Sequence, residues 1–148
     1  MSEDLTNKAY SNPKGSELPF GGQGGLVAII KYNSGNVQSV QYALQRLGVE
    51  SVVTDDESVI RNAKKVIFPG VGHAAPAMQY LRYKELDKLI VSLQQPVLGI
   101  CLGQQLMCNH SEEGNTDCLG IFNEEVKLFI PPVGKVFKVP HVGWNSIY

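Results

Sequence analysis

Four short apolar runs, each followed by a segment of different periodicity, constrain the fold of this 148-residue chain more than any other feature. The runs are Leu26–Ile30, Val49–Val53, Lys65–Phe68 and Val97–Ile100. Leu26–Ile30 is continuously apolar, which is typical of a strand that is buried on both faces, and the other three segments also predict strands. Strands that alternate with helices form a mainly parallel sheet with helices on both of its faces. The pattern therefore predicts an α/β domain.

The segments between these runs carry helix signals. The predicted helices are Val37 to Leu47, which Gly48 ends; a short helix to Ala63, which Asp55 or Asp56 caps; two pieces between Ala74 and Leu93; and Leu102 to about His110. Beyond Gly114 the pattern changes to short strands joined by turns. Leu119–Phe122, Glu124–Ile130 and Lys135–Val139 predict an antiparallel extension after residue 118.

The length and the local composition predict one folded domain. Residues 1–25 are polar and glycine-rich, and we expect them to be a disordered leader or linker. The glycine run at 21–25 precedes a strand, whereas phosphate-binding loops follow one, so we predict no phosphate site there. Residues 26–148 form the domain.

Charge and cysteine usage exclude several classes of function. The net charge is −1, and no apolar run is long enough to span a bilayer, so we expect neither nucleic acid nor a membrane as a partner. No signal peptide is recognisable, which favours the cytoplasm. The cysteines are Cys101, Cys108 and Cys118, an odd number that argues against a disulfide scaffold. Their spacing also predicts no metal site.

Cys101 lies between two glycines where a predicted strand meets a predicted helix. The stretch Gly99-Ile-Cys-Leu-Gly103 has the form of a nucleophile elbow with cysteine in place of serine. Glycines at the flanking positions permit the close backbone approach of so sharp a turn. The helix start favours a thiolate, and the next amide, that of Leu102, points to where an oxyanion forms. We predict that Cys101 is a nucleophile, while Cys108 and Cys118 are structural.

A second glycine-rich loop ends the third predicted strand. It is Pro69-Gly-Val-Gly72. Ligands of parallel α/β sheets bind at the carboxyl ends of the strands. We therefore expect this loop and the Cys101 turn to face one crevice.

Four stretches together resemble one family. They are Tyr32-Asn-Ser-Gly-Asn36, Pro69-Gly-Val-Gly72, Gly99-Ile-Cys-Leu-Gly-Gln-Gln105 and Pro140-His-Val-Gly-Trp-Asn145. The third resembles the nucleophile motif of class I glutamine amidotransferases. Their order resembles that of the glutaminase subunit of imidazole glycerol phosphate synthase, over Leu26 to Tyr148. The resemblance implies a flavodoxin-like fold.

The resemblance also implies an activity, a partner and a set of site residues. Glutamine is hydrolysed through a cysteinyl thioester, and ammonia passes to a cyclase subunit with a (β/α)₈ barrel in histidine biosynthesis, with no cofactor. Such an enzyme is a heterodimer with glutaminase and lyase activities. The matching residues are Cys101 as nucleophile, Val71 and Leu102 for the oxyanion hole, Gly70, Gly72 and Gln105 for glutamine, and Asn36 and Trp144 at the cyclase interface.

The catalytic histidine and glutamate that the resemblance implies lie in a later Phe-His-Pro-Glu stretch, which the 148 residues do not contain. We therefore expect the carboxyl-terminal part of the domain to be missing and this chain to be inactive alone. His73, His110 and His141 do not match the catalytic position. Two alternatives stay open: a binding module that has lost the triad, and a cysteine hydrolase of related fold with His73 as its base.

Overall fold

The computed structural model describes residues 25–134, 143, 144 and 146, and it contains the predicted parallel sheet. The strands are β1 (Val27–Ile30), β2 (Ser51–Thr54), β3 (Lys65–Gly70) and β4 (Val97–Cys101). Their spatial order is β2-β1-β3-β4, and every neighbouring pair is parallel. The prediction of a mainly parallel α/β sheet is confirmed.

Five helices connect or follow these strands in the described part of the chain. They are α1 (Val37–Arg46), α2 (Glu57–Asn62), α3 (Ala74–Tyr83), α4 (Leu86–Ser92) and α5 (Leu102–Leu106). Of the two candidate caps for α2, the structure selects Asp56, whose Oδ1 accepts a hydrogen bond from the Val59 amide at 3.1 Å. Such a cap satisfies an amide that has no partner inside the helix.

Both faces of the sheet are covered by helices, as predicted. On one face, Ile30 and Phe68 pack with Met78 of α3 and Leu102 of α5. On the other face, a smaller cluster of Val27, Ile29 and Ile67 packs against apolar residues of α1. A fully buried side chain of this size contributes roughly 2 kcal/mol of hydrophobic free energy.

Strand β1 is buried on both faces, as its apolar run predicts, whereas β4 is partly exposed. Leu98 lies beside Ile67 in the register, yet its side chain is 57% exposed, and that of Ile100 is 37% exposed. The reason is the position of α1, which packs on β1 and β2 and does not extend to the edge where β4 lies.

Helix α5 is shorter than predicted, and the way it ends explains why the predicted strand Leu119–Phe122 does not form. The sequence predicts a helix to about His110 and a strand at Leu119–Phe122. In the structure the Leu106 carbonyl accepts a hydrogen bond from the Leu119 amide at 2.9 Å. The Met107 carbonyl likewise accepts from the amides of 121 and 122 at 2.9 Å. These carbonyls would accept from the next turn if the helix continued. They bond to the segment 119–122 instead, so α5 ends here, and this segment forms no strand.

A second, smaller sheet follows α5 and differs in detail from the predicted extension. Its strands are β5 (His110–Ser111), β6 (Thr116–Asp117) and β7 (Glu125–Val126), in the order β6-β5-β7. It begins before residue 118, and only the β5–β6 pair is antiparallel, because β5 and β7 are parallel. The predicted strand Glu124–Ile130 is reduced to β7. The predicted strand Lys135–Val139 and the predicted leader up to residue 24 lie outside the described residues.

Candidate functional site

Cys101 is the last residue of β4 and the residue that caps α5. Its backbone has φ 54° and ψ −119°, in a region that residues other than glycine rarely adopt. The residue is exposed, and its side chain accepts no capping hydrogen bond from any of the described amides. Backbone strain held at one exposed polar residue is characteristic of functional sites. The predicted sharp turn between strand and helix is confirmed.

The two glycines that flank Cys101 are required by close contacts. A Cβ atom at Gly99 would lie 2.6 Å from the Cα of Gln104 and 2.8 Å from the Sδ of Met107. A Cβ atom at Gly103 would overlap the backbone carbonyl of Phe68 in β3. The absence of a side chain at Gly99 therefore lets α5 lie close to β4, and its absence at Gly103 lets the turn fit against β3.

The loop at Gly70–Gly72 lies directly against this turn. Gly70 is the register partner of Cys101 where β3 and β4 end. A Cβ atom at Gly70 would lie 2.6 Å from the Gly103 amide nitrogen and 2.9 Å from the Cβ of Leu102. The two glycine-rich loops meet at one edge of the sheet, as predicted.

The amide of Val71 has a hydrogen-bond partner in this structure. It donates to Ser34 Oγ at 3.2 Å, and the Ser34 hydroxyl in turn is in contact with the Val71 carbonyl oxygen. Ser34 lies in the loop between β1 and α1, so a third strand end borders the site. Gly72 follows with φ 101°, a conformation that favours glycine.

Tyr32 supports the base of the Gly70–Gly72 loop. Its hydroxyl donates to the Pro69 carbonyl at 2.8 Å, and its ring packs on Phe68 with 5.3 Å between the ring centroids. Burial raises the pKa of Tyr32 to about 12, and the negative charge of a Cys101 thiolate adds to the rise. Tyr32 and Ser34 belong to a stretch that carries the family resemblance, but the sequence led to no predicted role for either residue. Their signal was available, because both follow β1, which pairs with β3, and parallel strand ends meet at one edge.

Of the remaining predicted site residues, two follow Cys101 on α5 and two are far from it in the sequence. Leu102 is buried and is the first residue of α5, so its amide has no partner inside the helix. Gln105 is half-buried on the same helix. Asn36 is exposed, and its Oδ1 caps α1 by accepting from the Ser39 amide at 3.1 Å. Trp144 stands apart from this group with a fully exposed side chain.

One ring nitrogen of His73, the alternative base, takes part in a structural hydrogen bond. Its Nδ1 accepts a hydrogen bond from the Ala75 amide at 3.3 Å and so caps α3.

The two other cysteines differ from Cys101, because burial raises the pKa of the Cys108 and Cys118 thiols. A raised pKa lowers the thiolate fraction, which fits the structural role predicted for both.

The described part of the chain contains neither a metal-binding cluster nor a helix that could span a membrane. Within residues 25–134, 143, 144 and 146, no three histidine, cysteine or carboxylate side chains are grouped so that they can hold a metal ion. In the same residues, no helix has the length and the apolar character needed to cross a bilayer.

Comparison with known proteins places the chain in a family. The family model for glutamine amidotransferase class-I matches residues 28–147. The chain belongs to the class I glutamine amidotransferases. Within this family, the chain is 59% identical over 121 residues to the imidazole glycerol phosphate synthase subunit HisH of Bacteroides thetaiotaomicron. This alignment covers 82% of the chain and 61% of the relative.

A more distant relative agrees with this family, and a solved structure supports the fold. The subunit HisH of Xanthomonas campestris pv. campestris is 46% identical over 121 residues, which cover 82% of this chain and 60% of that protein. A crystal structure of a glutamine amidotransferase superposes with a TM-score of 0.58 at 20% identity, covers 69% of this chain and 56% of that one, and supports the fold alone. The chain spans about three fifths of the length of the curated relatives it matches.

Proposed function

We propose that this chain belongs to the glutaminase subunit of an imidazole glycerol phosphate synthase and contains its nucleophile, Cys101. The observation that carries the proposal is the backbone of Cys101, a non-glycine residue at φ 54° on an exposed strand-to-helix turn. In a class I glutamine amidotransferase, a strained turn of this kind presents the nucleophilic thiol to the substrate. The relatives named HisH, at 59% and 46% identity, support histidine biosynthesis as the pathway.

The proposed reaction has two steps. The Cys101 thiolate attacks the side-chain amide carbon of glutamine, and the carbonyl oxygen becomes an oxyanion. When this intermediate collapses, the carbon–nitrogen bond breaks, the amide nitrogen takes up a proton and leaves as ammonia, and a thioester to Cys101 remains. Water then attacks the thioester through a second oxyanion, which releases glutamate and restores the thiol.

Two backbone amides are proposed to stabilise both oxyanions. The Leu102 amide is available at the start of α5, while the Val71 amide must exchange its hydrogen bond to Ser34 Oγ for one to the substrate. Removal of one such donor from other enzymes costs about 3 kcal/mol of transition-state stabilisation. Glutamine is held by Gly70 and Gly72, which border the turn, and by Gln105 on α5.

Ammonia is then proposed to pass to a cyclase subunit with a (β/α)₈ barrel, which makes the active enzyme a heterodimer in the cytoplasm. Asn36 and Trp144 lie at the proposed interface, and both side chains are exposed. Proton transfer is assigned to the histidine and glutamate of a Phe-His-Pro-Glu stretch, as the family resemblance implies.

The test is glutamate release from glutamine, measured in the presence and absence of the cyclase partner, for the intact protein and for Cys101→Ala. Cys108→Ala is the matched control, because it removes a thiol from the same helix region without touching the turn. We expect Cys101→Ala to abolish release and Cys108→Ala to retain it. We also expect a glutamine analogue with an electrophilic carbon to alkylate Cys101 alone.

The same measurements separate the alternatives. Glutamate release that survives Cys101→Ala would refute the proposal. An intact protein that binds glutamine but neither hydrolyses it nor is alkylated at Cys101 is a binding module. Release that depends on Cys101 and is lost in His73→Ala but not in a variant of the Phe-His-Pro-Glu histidine would favour the hydrolase with His73 as base.

A further inference from the structure

The turn between β5 and β6 reaches across to the amino-terminal end of α3. Glu113 in this turn accepts a hydrogen bond from the Ala74 amide through Oε2 at 2.8 Å. A Cβ atom at the adjacent Gly114 would lie 2.6 Å from the Cε1 of His73 and 3.1 Å from the Cβ of Ala75. The turn is therefore both hydrogen-bonded to and packed against the three residues that follow the Gly70–Gly72 loop.

The backbone of Glu113 is itself fixed. Its amide donates to Ser111 Oγ at 3.2 Å, and its carbonyl accepts from Thr116 Oγ1 at 2.9 Å. Both partner side chains belong to buried residues. At the other end of α3, Arg82 donates to the Asp117 carbonyl of β6 at 2.7 Å. The carboxylate of Glu113 thus projects from a rigid hairpin that is attached to α3 in two places.

The position of Ala74 determines where the Gly70–Gly72 loop can go. Only His73 separates Ala74 from Gly72, whose φ of 101° lets the chain turn there. Gly70 is fixed at the other end by its pairing with Cys101. The loop is therefore held at both ends, by β4 on one side and by Glu113 on the other.

We propose, on the basis of the glutaminase function proposed above, that Glu113 is a positioning residue for the oxyanion hole. Its hydrogen bond to the Ala74 amide holds the Gly70–Gly72 loop beside Cys101, so that the Val71 amide can reach the oxyanion once it releases Ser34 Oγ. Glu113 acts through its ability to accept a hydrogen bond. It touches neither the nucleophile nor the scissile amide.

The experiment compares Glu113→Ala and Glu113→Gln with Glu112→Ala in the intact protein with its cyclase partner. Glu112 is a matched control, because its carboxylate in the same turn accepts from the Leu128 amide, away from α3. Steady-state glutaminase kinetics and hydrogen–deuterium exchange of the Ala74 amide are measured together. The exchange reports the hydrogen bond without any need for catalysis.

We expect Glu113→Ala to lower kcat about tenfold with KM within about twofold, because a displaced donor weakens transition-state binding. Exchange at Ala74 should become faster in this variant. Glu113→Gln should restore kcat to within about threefold, because its amide oxygen still accepts a hydrogen bond. Glu112→Ala should behave as the wild type in both measurements.

Three results would overturn this inference: unchanged kcat in Glu113→Ala, a rise in KM alone, or an equal loss in Glu113→Gln and Glu113→Ala. A rise in KM alone would mean that Glu113 contacts glutamine directly. Failure of the proposed function looks different, because the wild type itself would then show no Cys101-dependent release while the exchange at Ala74 still responded to Glu113→Ala. Those two results together would show that the Glu113–Ala74 hydrogen bond exists but has no role in an oxyanion hole.

Discussion

Replacing Tyr32 by phenylalanine removes one oxygen atom from beneath the Gly70–Gly72 loop and leaves the ring in place. The ring is 8% exposed and packs on Phe68, so the substitution creates no large cavity. What is lost is the 2.8 Å hydrogen bond to the Pro69 carbonyl. A buried acceptor left without its partner costs about 1–3 kcal/mol. We expect the free energy of unfolding to fall by about 1–2 kcal/mol at neutral pH, within the range stated for such a loss.

Equilibrium unfolding in urea measures this change. Tyr83→Phe is the control, because that side chain is 80% exposed and its hydroxyl loses only contact with water. Substitutions at exposed positions change stability by less than about 0.5 kcal/mol. A Tyr32→Phe variant as stable as Tyr83→Phe would show that the hydrogen bond to Pro69 contributes nothing.

The same pair of proteins tests the pKa of Tyr32. Its pKa is raised from 10.0 to about 12 in the folded state, so the folded protein holds this proton more tightly than the unfolded chain does. The resulting stabilisation is complete below pH 10 and is lost as the pH rises through 12. The difference in free energy of unfolding between wild type and Tyr32→Phe should therefore shrink over that window. A difference that stays constant would contradict the raised pKa.

Three further substitutions test the turn and the loop beside it. Cys101→Gly should abolish glutamate release yet raise stability by about 1 kcal/mol in urea unfolding, because glycine adopts the positive φ without strain; a less stable variant would contradict the strain. Ser34→Ala should raise kcat about threefold in the glutaminase assay, because the Val71 amide then has no competing acceptor and an oxyanion-hole donor is worth more than this factor; a lower kcat would mean that Ser34 supports the loop instead. Gly103→Ala should lower the thermal unfolding temperature by more than 10 °C or prevent folding, since relief of its overlap with the Phe68 carbonyl costs roughly 3 kcal/mol or more; circular dichroism measures this, and an unchanged transition would refute the packing argument.

The sheet and the strand-to-helix turn at Cys101 could be predicted from local patterns. Apolar runs and glycine punctuation depend on neighbouring residues only, and they placed β1 to β4 within one or two residues. The turn at Cys101 followed from the same logic, because its glycines are next to it in sequence.

The prediction failed where distant residues compete for backbone groups. The sequence gives no sign that the Leu106 carbonyl accepts from Leu119 and not from the next turn of α5. The exposed apolar side chain of Leu98 was missed for a related reason, since an apolar run does not tell which part of the sheet α1 covers. Glu113 was missed because its partner, Ala74, is 39 residues away.

The hydrogen bonds around the site also determine when it forms during folding. Those from Tyr32 to Pro69 and between Ser34 and Val71 each join residues 37 positions apart. Closing a loop of that length costs conformational entropy before any contact forms, so such contacts appear after the local helices. The Cys101 turn and the Gly70–Gly72 loop therefore come together as part of the cooperative folding of β1, β3 and β4. With Cys101 as the proposed nucleophile, the reactivity of its thiol toward a glutamine-like electrophile reports the folding of these three strands.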